Sequence, residues 1–493
     1  MYADFMVALK IMSGPPSDQG NSSSSAANIG GWLHFLLHDH DHDHYIGPNV
    51  AGRLDEKQKI QSVAPNSSED AKHYEPLVVS IGPMHHGKDH LQAMEKFKRS
   101  LAQKYAERIR EADTAAFETV LLKARNCYSH SVHSVYNDPD WFVIMFIDAC
   151  FILEFLSSEL GGSRWVDMNM KNHDRDLVRR DLLLLENQLP FELLQIFCTS
   201  FMRGNDFSLM VIIMSFLFNR MITTVSGVSS TDDTLIDIDH FDDYIVNNMP
   251  LPRQESERFP HVSHKHLLQL FRDLSIEAIG AGPTKLEEEE EEDDLVYNYP
   301  NLSVTELKKA GIRCRCGKVG GRLTYFSPSD IYFKSYALSG KLVLPQLTIH
   351  EWTKALLLNL VAYEYSCSTQ DNPSGISTYL NFMGKLINRE EDVKELRGRG
   401  IISYSIGDDQ AVVDLFRDIT AHVAMNNPQA FKHVKRHISA YLASKRLPLR
   451  VFLAEFKQKY FSGPWNIFVF LAVIFTLAMT IIQTIFTAIQ TCK

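Results

Sequence analysis

The longest uninterrupted apolar stretch closes the chain. From Asn466 to Ile489 the sequence reads NIFVFLAVIFTLAMTIIQTIFTAI, without charge or proline. A helix rises ~1.5 Å per residue, so this run covers a ~30 Å hydrocarbon core. Trp465 stands at its near edge, where an amphipathic ring favours the interface. The pattern predicts a transmembrane anchor over 465–490. The alternative, a buried core helix, needs a protein shell around a wholly apolar terminal element.

Upstream, shorter apolar runs alternate with polar ones. Tyr74–Gly87 (YEPLVVSIGPMHHG) reads as a strand-like run ended by a Gly-Pro turn. A helix follows, with Leu91, Met94, Phe97, Leu101 and Tyr105 at helical spacing and Glu95, Lys96, Lys98 and Arg99 outside. Trp141–Leu156 (WFVIMFIDACFILEFL) carries only Asp148 and Glu154 as charges; it is short for a span and is expected to be a central core helix. In Asp176–Phe197, Pro190 should start or kink a helix. Phe207–Phe218 reads as a buried helix and His264–Leu274 as another. Ser303 with Glu306 forms a capping-box pattern, closed by Gly311. Leu323–Ile349 alternates enough for two or three short strands, and Trp352–Tyr365 reads as an amphipathic helix. Tyr379–Ile387, Glu390–Gly400, Asp409–Val423, the basic Ala430–Leu447 and Arg450–Phe461 complete the helical pattern, before a Gly463-Pro464 break.

These elements predict a mainly α protein: one large helical body over 71–464 with a small β element, hung on a C-terminal membrane helix. Inserts are expected at about 223–260 and 280–300. Residues 1–70, rich in Ser, Gly, Asn and Pro, read as a disordered N-terminal region.

Composition changes the picture in two places. An apolar content of 45% allows a substantial core. The formal charge of −10 is dominated by the run Glu287–Asp294 (EEEEEEDD), which leaves a nearly neutral body. That excludes an electrostatic footprint for nucleic acid. The acidic run reads as a solvated linker or, alternatively, a docking site for a basic partner. Seven cysteines without a pairing framework suggest a reducing compartment, and Cys314 and Cys316 lack the second pair that a zinc set needs. No signal peptide opens the chain: Phe5–Leu9 is short and cut off by Lys10. Arg446, Arg450, Lys457 and Lys459 precede the anchor and only Lys493 follows it, which argues for a cytosolic body. The sequons at Asn21, Asn66 and Asn301 would then be idle.

Candidate chemistry is sparse. The tract His38–His44 (HDHDHDH) alternates two ligand types, but nothing rigid sets their geometry, so a solvated low-complexity stretch competes with a metal site. His85 and His86 occupy a turn, as neighbours pointing to opposite sides or as catalytic or metal-binding groups. Asp148 and Glu154 lie about 240° apart on a helix and so do not share a face. Asp148, buried, should cap another element or pair with an arginine, with Arg179 or Arg180 as the ionic partner for Asp148 or Asp181; a general-acid role is the alternative. No phosphate loop, nucleophile elbow or HExxH is present. No residue is assigned as catalytic, cofactor-binding or metal-ligating, and no cofactor is expected.

In order, YEPLVVSIGPMHHG, FIDACFILEFL, DLLLLENQLPF, HLLQLFR, VTELKKAGI, KLVLPQLTIHEWTKALLLNLVAYE, LINREEDVKELRGRGII and PLRVFLAEFKQKYFSGPW with its anchor resemble the plant domain-of-unknown-function 247 family, from Tyr74 to the C-terminus. Met84, the inserts, the acidic run and the His/Asp tract depart from that pattern. The resemblance implies a plant, membrane-attached, mainly helical protein without established catalytic activity, some grass members lying at self-incompatibility loci. It carries no active-site residues. Two functions are weighed: a membrane-anchored recognition or signalling protein that binds another protein, and a membrane-tethered enzyme using His85, His86, Asp148 or Glu154. A histidine close to a carboxylate at a pocket floor would favour the enzyme; polar residues dispersed in the core would favour the binder.

Overall fold

The computed structural model describes residues 68–106, 111–129, 135–158, 170–202, 265–277, 302–317, 331–367 save 338, 375–423 save 406, 431–444 and 464–491, with positions 60, 63, 132, 209, 212, 213 and 216. The His/Asp tract, both inserts, the acidic run, the three sequons, 450–461 and the basic residues flanking the anchor lie outside the described residues.

In chain order the helices are α1 (Gln92–Ala106), α2 (Glu111–Arg125), α3 (Asp138–Ser158), α4 (Asn172–Asp181), α5 (Phe191–Met202), α6 (Leu267–Glu277) and α7 (Val304–Lys309). The strands β1 (Ile312–Cys316), β2 (Tyr332–Ser335), β3 (Gly340–Leu344) and β4 (Leu347–Ile349) follow. Then come α8 (Thr353–Cys367), α9 (Gly375–Leu386), α10 (Glu390–Gly398), β5 (Ile402–Tyr404), α11 (Asp409–His422), α12 (Lys432–Ala443) and α13 (Pro464–Thr491). The protein is mainly α with a small β component, as its patterning predicts.

Two compact units divide the chain: Met1–Leu274 with Trp352–Pro373, and Ser275–Glu351 with Ser374–Lys493. The first is built on α3. From Trp141 to Leu153 every residue of this helix is buried. A helix apolar on all sides must be surrounded, and α1 and α5 pack against it, with α2 against α5. Phe146 meets Phe197 of α5 at 5.3 Å, and Phe117 of α2 meets the same ring at 4.8 Å. By length and hydropathy α3 could cross a membrane, but 94% of its apolar window is buried inside the protein, whereas none of Leu471–Gln490 is. Leu209, Ile212, Ile213 and Phe216 are helical and buried, as the Phe207–Phe218 pattern anticipates. The later stretch contributes α8, which is buried on nearly every side rather than amphipathic. The alternation expected from Trp352–Tyr365 fails because its polar Asn359 and Glu364 are themselves inside, each with a partner.

In the second unit β3 is central, parallel to β1 and antiparallel to β2; β4 pairs in parallel with β5. β1 and β5 were not foreseen: ISY is only three residues long, and IRCRC alternates apolar and charged residues but over too few positions to stand out beside the capped helix before it. Ser303 and Glu306 close the expected capping box on α7, and Gly311 then takes φ +83°, the left-handed conformation favoured by glycine. α10 and α9 both pack on α11, and α12 lies on β2.

Candidate functional site

The segment Tyr74–Gly87 forms no strand in any described sheet, which corrects the strand-like reading. It is largely buried, so its backbone groups need partners other than a ladder. Side chains supply them. Asp181, at the end of α4, accepts the N–H groups of Leu77, Val78 and Val79 at 2.9, 2.7 and 3.1 Å. Asn187 accepts from Ile81 N at 2.7 Å and donates to Val79 O at 3.0 Å. Asp148 of α3 accepts from Gly82 N at 2.7 Å. Gly82 has φ +71°, and a Cβ there would lie 2.9 Å from both Gln188 O and the Tyr128 hydroxyl, so only glycine fits.

At the centre stands Lys98 of α1, wholly buried. Its ammonium donates to Asp148 Oδ1 at 2.5 Å and Ser80 O at 2.6 Å, and lies 2.6 Å from Glu95 Oε1. The Ser80 hydroxyl donates to that same Glu95 oxygen at 2.6 Å. Burial raises the Asp148 carboxyl to about 7, while Lys98 pulls it back down and Glu95 adds to the rise. For Glu95, burial pushes upward too, but Lys98, His86 and Ser80 outweigh it and hold the group below its ordinary value. Three oxygens thus surround the Lys98 nitrogen, as many as an ammonium has protons to donate.

These positions correct two expectations. Asp148 pairs with Lys98, not with Arg179 or Arg180, while the other arm of that expectation, an arginine on Asp181, holds. Arg180 meets Asp181 at 2.6 Å, as anticipated, and donates to Glu75 O and Lys72 O, tying the start of the segment down. Glu95 and Lys98 face inward, not outward. Their signal was in the sequence: Glu95, Lys98, Ala102 and Tyr105 repeat at helical spacing, and the buried stripe includes them.

His85 is buried, with Nε2 3.2 Å from Glu186 Oε2. The remaining Glu186 oxygen accepts Val63 N at 2.5 Å. His86 Nδ1 lies 3.5 Å from Glu95 Oε2, its ring edge-on to Tyr136 at 6.1 Å. Burial lowers His86 to about 4, against the pull of Glu95 and with help from Lys98 and Arg99, so it is neutral at pH 7. Glu154 accepts the Tyr105 hydroxyl. The turn thus places its two histidines against different carboxylates, and Asp148 and Glu154 take separate partners on α1. Cys314 is buried, its thiol pushed to about 12, mainly by that burial. Among the described residues no group of three or more His, Cys, Asp or Glu could hold a metal ion.

The same device recurs elsewhere. Asn359 of α8 accepts Leu185 N at 2.8 Å and donates to His73 O at 3.0 Å, and Arg272 of α6 meets Glu364 of α8 at 3.1 Å. In the second unit, buried Asp392 accepts from Thr305 N, Asn388 N and Arg389 N at 2.8, 3.1 and 3.0 Å, joining the starts of α7 and α10. Side-chain carboxylates and amides thereby satisfy buried backbone groups outside the sheet ladders.

Comparison with known proteins finds relatives over most of the chain. The family model of DUF247, described as plant protein of unknown function, matches residues 60–479. A UPF0481 protein of Arabidopsis thaliana is 26% identical over 450 residues, covering 84% of this chain and 82% of that one. A putative UPF0481 protein of the same plant is 22% identical over 475 residues, covering 83% and 86%. No solved structure matches the chain.

Proposed function

The chain belongs to the DUF247 family of plant proteins, and from that premise we propose that it is a membrane-anchored, non-enzymatic recognition or signalling protein acting through protein–protein contact. The observation that carries this reading is α13. Phe468, Phe475, Leu477, Phe486 and Ile489 are all more than half exposed, and every residue from 471 to 490 is exposed, on all sides of the helix. An apolar helix of this length without a protein shell is expected to find one in lipid. The body is proposed to lie in the cytosol, and a pollen-side self-incompatibility determinant is one special case. Apart from the ring nitrogens of His85 and His86, the polar groups of the Tyr74–Gly87 region are engaged by backbone and by each other, which supports a binding role.

Carbonate extraction of membranes from cells expressing the full chain should leave it in the pellet, and release into the supernatant would overturn the anchor. Protease added to sealed microsomes should digest the body, with no glycosidase shift. Protection with a shift at Asn66 or Asn301 would place the body outside the cell. Expression confined to pollen would favour the self-incompatibility case, and equal expression in leaf and root would remove it.

The His85–Glu186 contact favours one alternative, a membrane-tethered hydrolase. Turnover of an ester or phosphate panel that disappears in His85→Gln would replace the first reading with this one.

A further inference from the structure

Resting on the anchor reading above, we propose that the outer face of α12 docks electrostatically on anionic lipid headgroups of the membrane that receives α13. α12 has spent its apolar side inside its own unit: Val434, Ile438 and Tyr441 are buried. The Tyr441 ring meets Phe333 of β2 at 5.6 Å, and its hydroxyl donates to Ala310 O at 3.3 Å. His433, Arg436, His437 and Ala440 remain exposed on the opposite side, with Lys432 half-buried beside them. Lys435, also half-buried, is close enough to Lys385 of α9 for that neighbour, after burial, to help lower its ammonium pKa. Cations are therefore gathered here by the fold as well as by the sequence.

Charge along the chain points the same way. Residues 431–463 hold eight Lys or Arg against a single acid, Glu455, in a protein whose formal charge is −10. This stretch runs directly into α13. Between Ala443 and Pro464 the chain can span at most ~70 Å at ~3.5 Å per residue, which bounds how far α12 can stand from a bilayer entered by α13. Anionic headgroups attract such a juxtamembrane basic segment within about one Debye length, ~8 Å at physiological salt. With its apolar face already buried, α12 would lie on the headgroups without inserting as an interfacial amphipathic helix does. The acidic run Glu287–Asp294 has complementary charge, but it lies far earlier in the chain, whereas α12 and α13 are separated by twenty residues of sequence.

The test uses the full chain reconstituted into bilayers of neutral phosphatidylcholine alone or with about a third phosphatidylserine. Labelling of the Lys432 amine by reductive methylation is followed by mass spectrometry. Slower labelling in the anionic bilayer, by about fivefold and reversed by 0.5 M salt, is expected if the cation sits at the charged surface. The variant Lys432→Gln with Arg436→Gln should leave Lys435 labelled alike in both bilayers; should it misfold, the salt reversal in the natural chain still decides. Carbonate-resistant chain with equal Lys432 labelling in both lipids would overturn docking and leave the anchor standing. Chain released from both bilayers by carbonate would overturn docking and anchor together. Protection that is independent of lipid charge, and lost when Glu287–Glu292 are changed to Gln, would assign the face to the protein's own acidic run and overturn the lipid.

Discussion

A buried ammonium between two buried carboxylates is stable only as a set. Lys98 neutralises Asp148 and Glu95, and removing it strands both. Lys98→Ala should therefore cost about 3–5 kcal/mol in chemical denaturation. Adding Asp148→Asn should recover part of that loss, since Asn keeps an acceptor for Gly82 N. Equal stability of Lys98→Ala and the natural chain would refute the ion cluster. His266 gives a pH prediction. It is buried, accepts Gln269 N at 3.2 Å through Nδ1 at the start of α6, and is lowered to about 3 by burial first and Lys265 second. The unfolded chain takes up this proton below about pH 6.5 while the folded chain holds none until about pH 3. Its contribution is complete above pH 6.5 and is lost as pH falls, at about 1.4 kcal/mol per pH unit. Asp148, raised to about 7, opposes this trend between pH 4 and 7, so the comparison must be with His266→Asn, which keeps a capping acceptor. That variant should lose stability less steeply from pH 6.5 to 4, and a parallel pH profile would show that His266 does not titrate on unfolding.

At the scale of elements, close approach decides what a helix tolerates. Gly384 of α9 faces Thr420 of α11, and an added Cβ would collide with Thr420 Cγ2. Gly384→Ala should cost about 1–3 kcal/mol by forcing the helices apart. Thr420→Ser removes the colliding methyl, keeps the hydroxyl bond to Phe416 O, and should restore most of the loss. Additive rather than compensating effects, measured by thermal unfolding of the double variant, would refute this contact. α3 shows the opposite case, a helix whose every side meets protein, so Phe146→Ala should leave a cavity costing about 3–5 kcal/mol.

At the scale of the whole molecule, two compact units carry the chain and one helix stands apart in exposure. Ending the chain at Gly463 removes α13 without removing any residue named in the buried clusters. The shortened protein should move from the carbonate-resistant pellet to the supernatant while keeping its helical circular dichroism. Retention in the pellet as folded protein would mean that another surface carries membrane attachment.

Periodicity and composition determined most of the helices, the capping box at Ser303, the buried course of α3 and the contrast between α3 and the terminal apolar run, because local backbone geometry and apolar burial are written into residue spacing. The small strands of the second unit were half legible, and the histidines of the turn were legible as residues but not by partner. Tertiary structure alone decided that Lys98 belongs to Asp148, which of the anticipated arginine pairings forms, and that Tyr74–Gly87 is tied by side chains instead of by a sheet. A short apolar run satisfies a strand pattern whether its N–H groups meet another strand or a carboxylate. Those carboxylates come from residues more than sixty positions away, and which long-range partner reaches a buried backbone group depends on how helices pack in three dimensions.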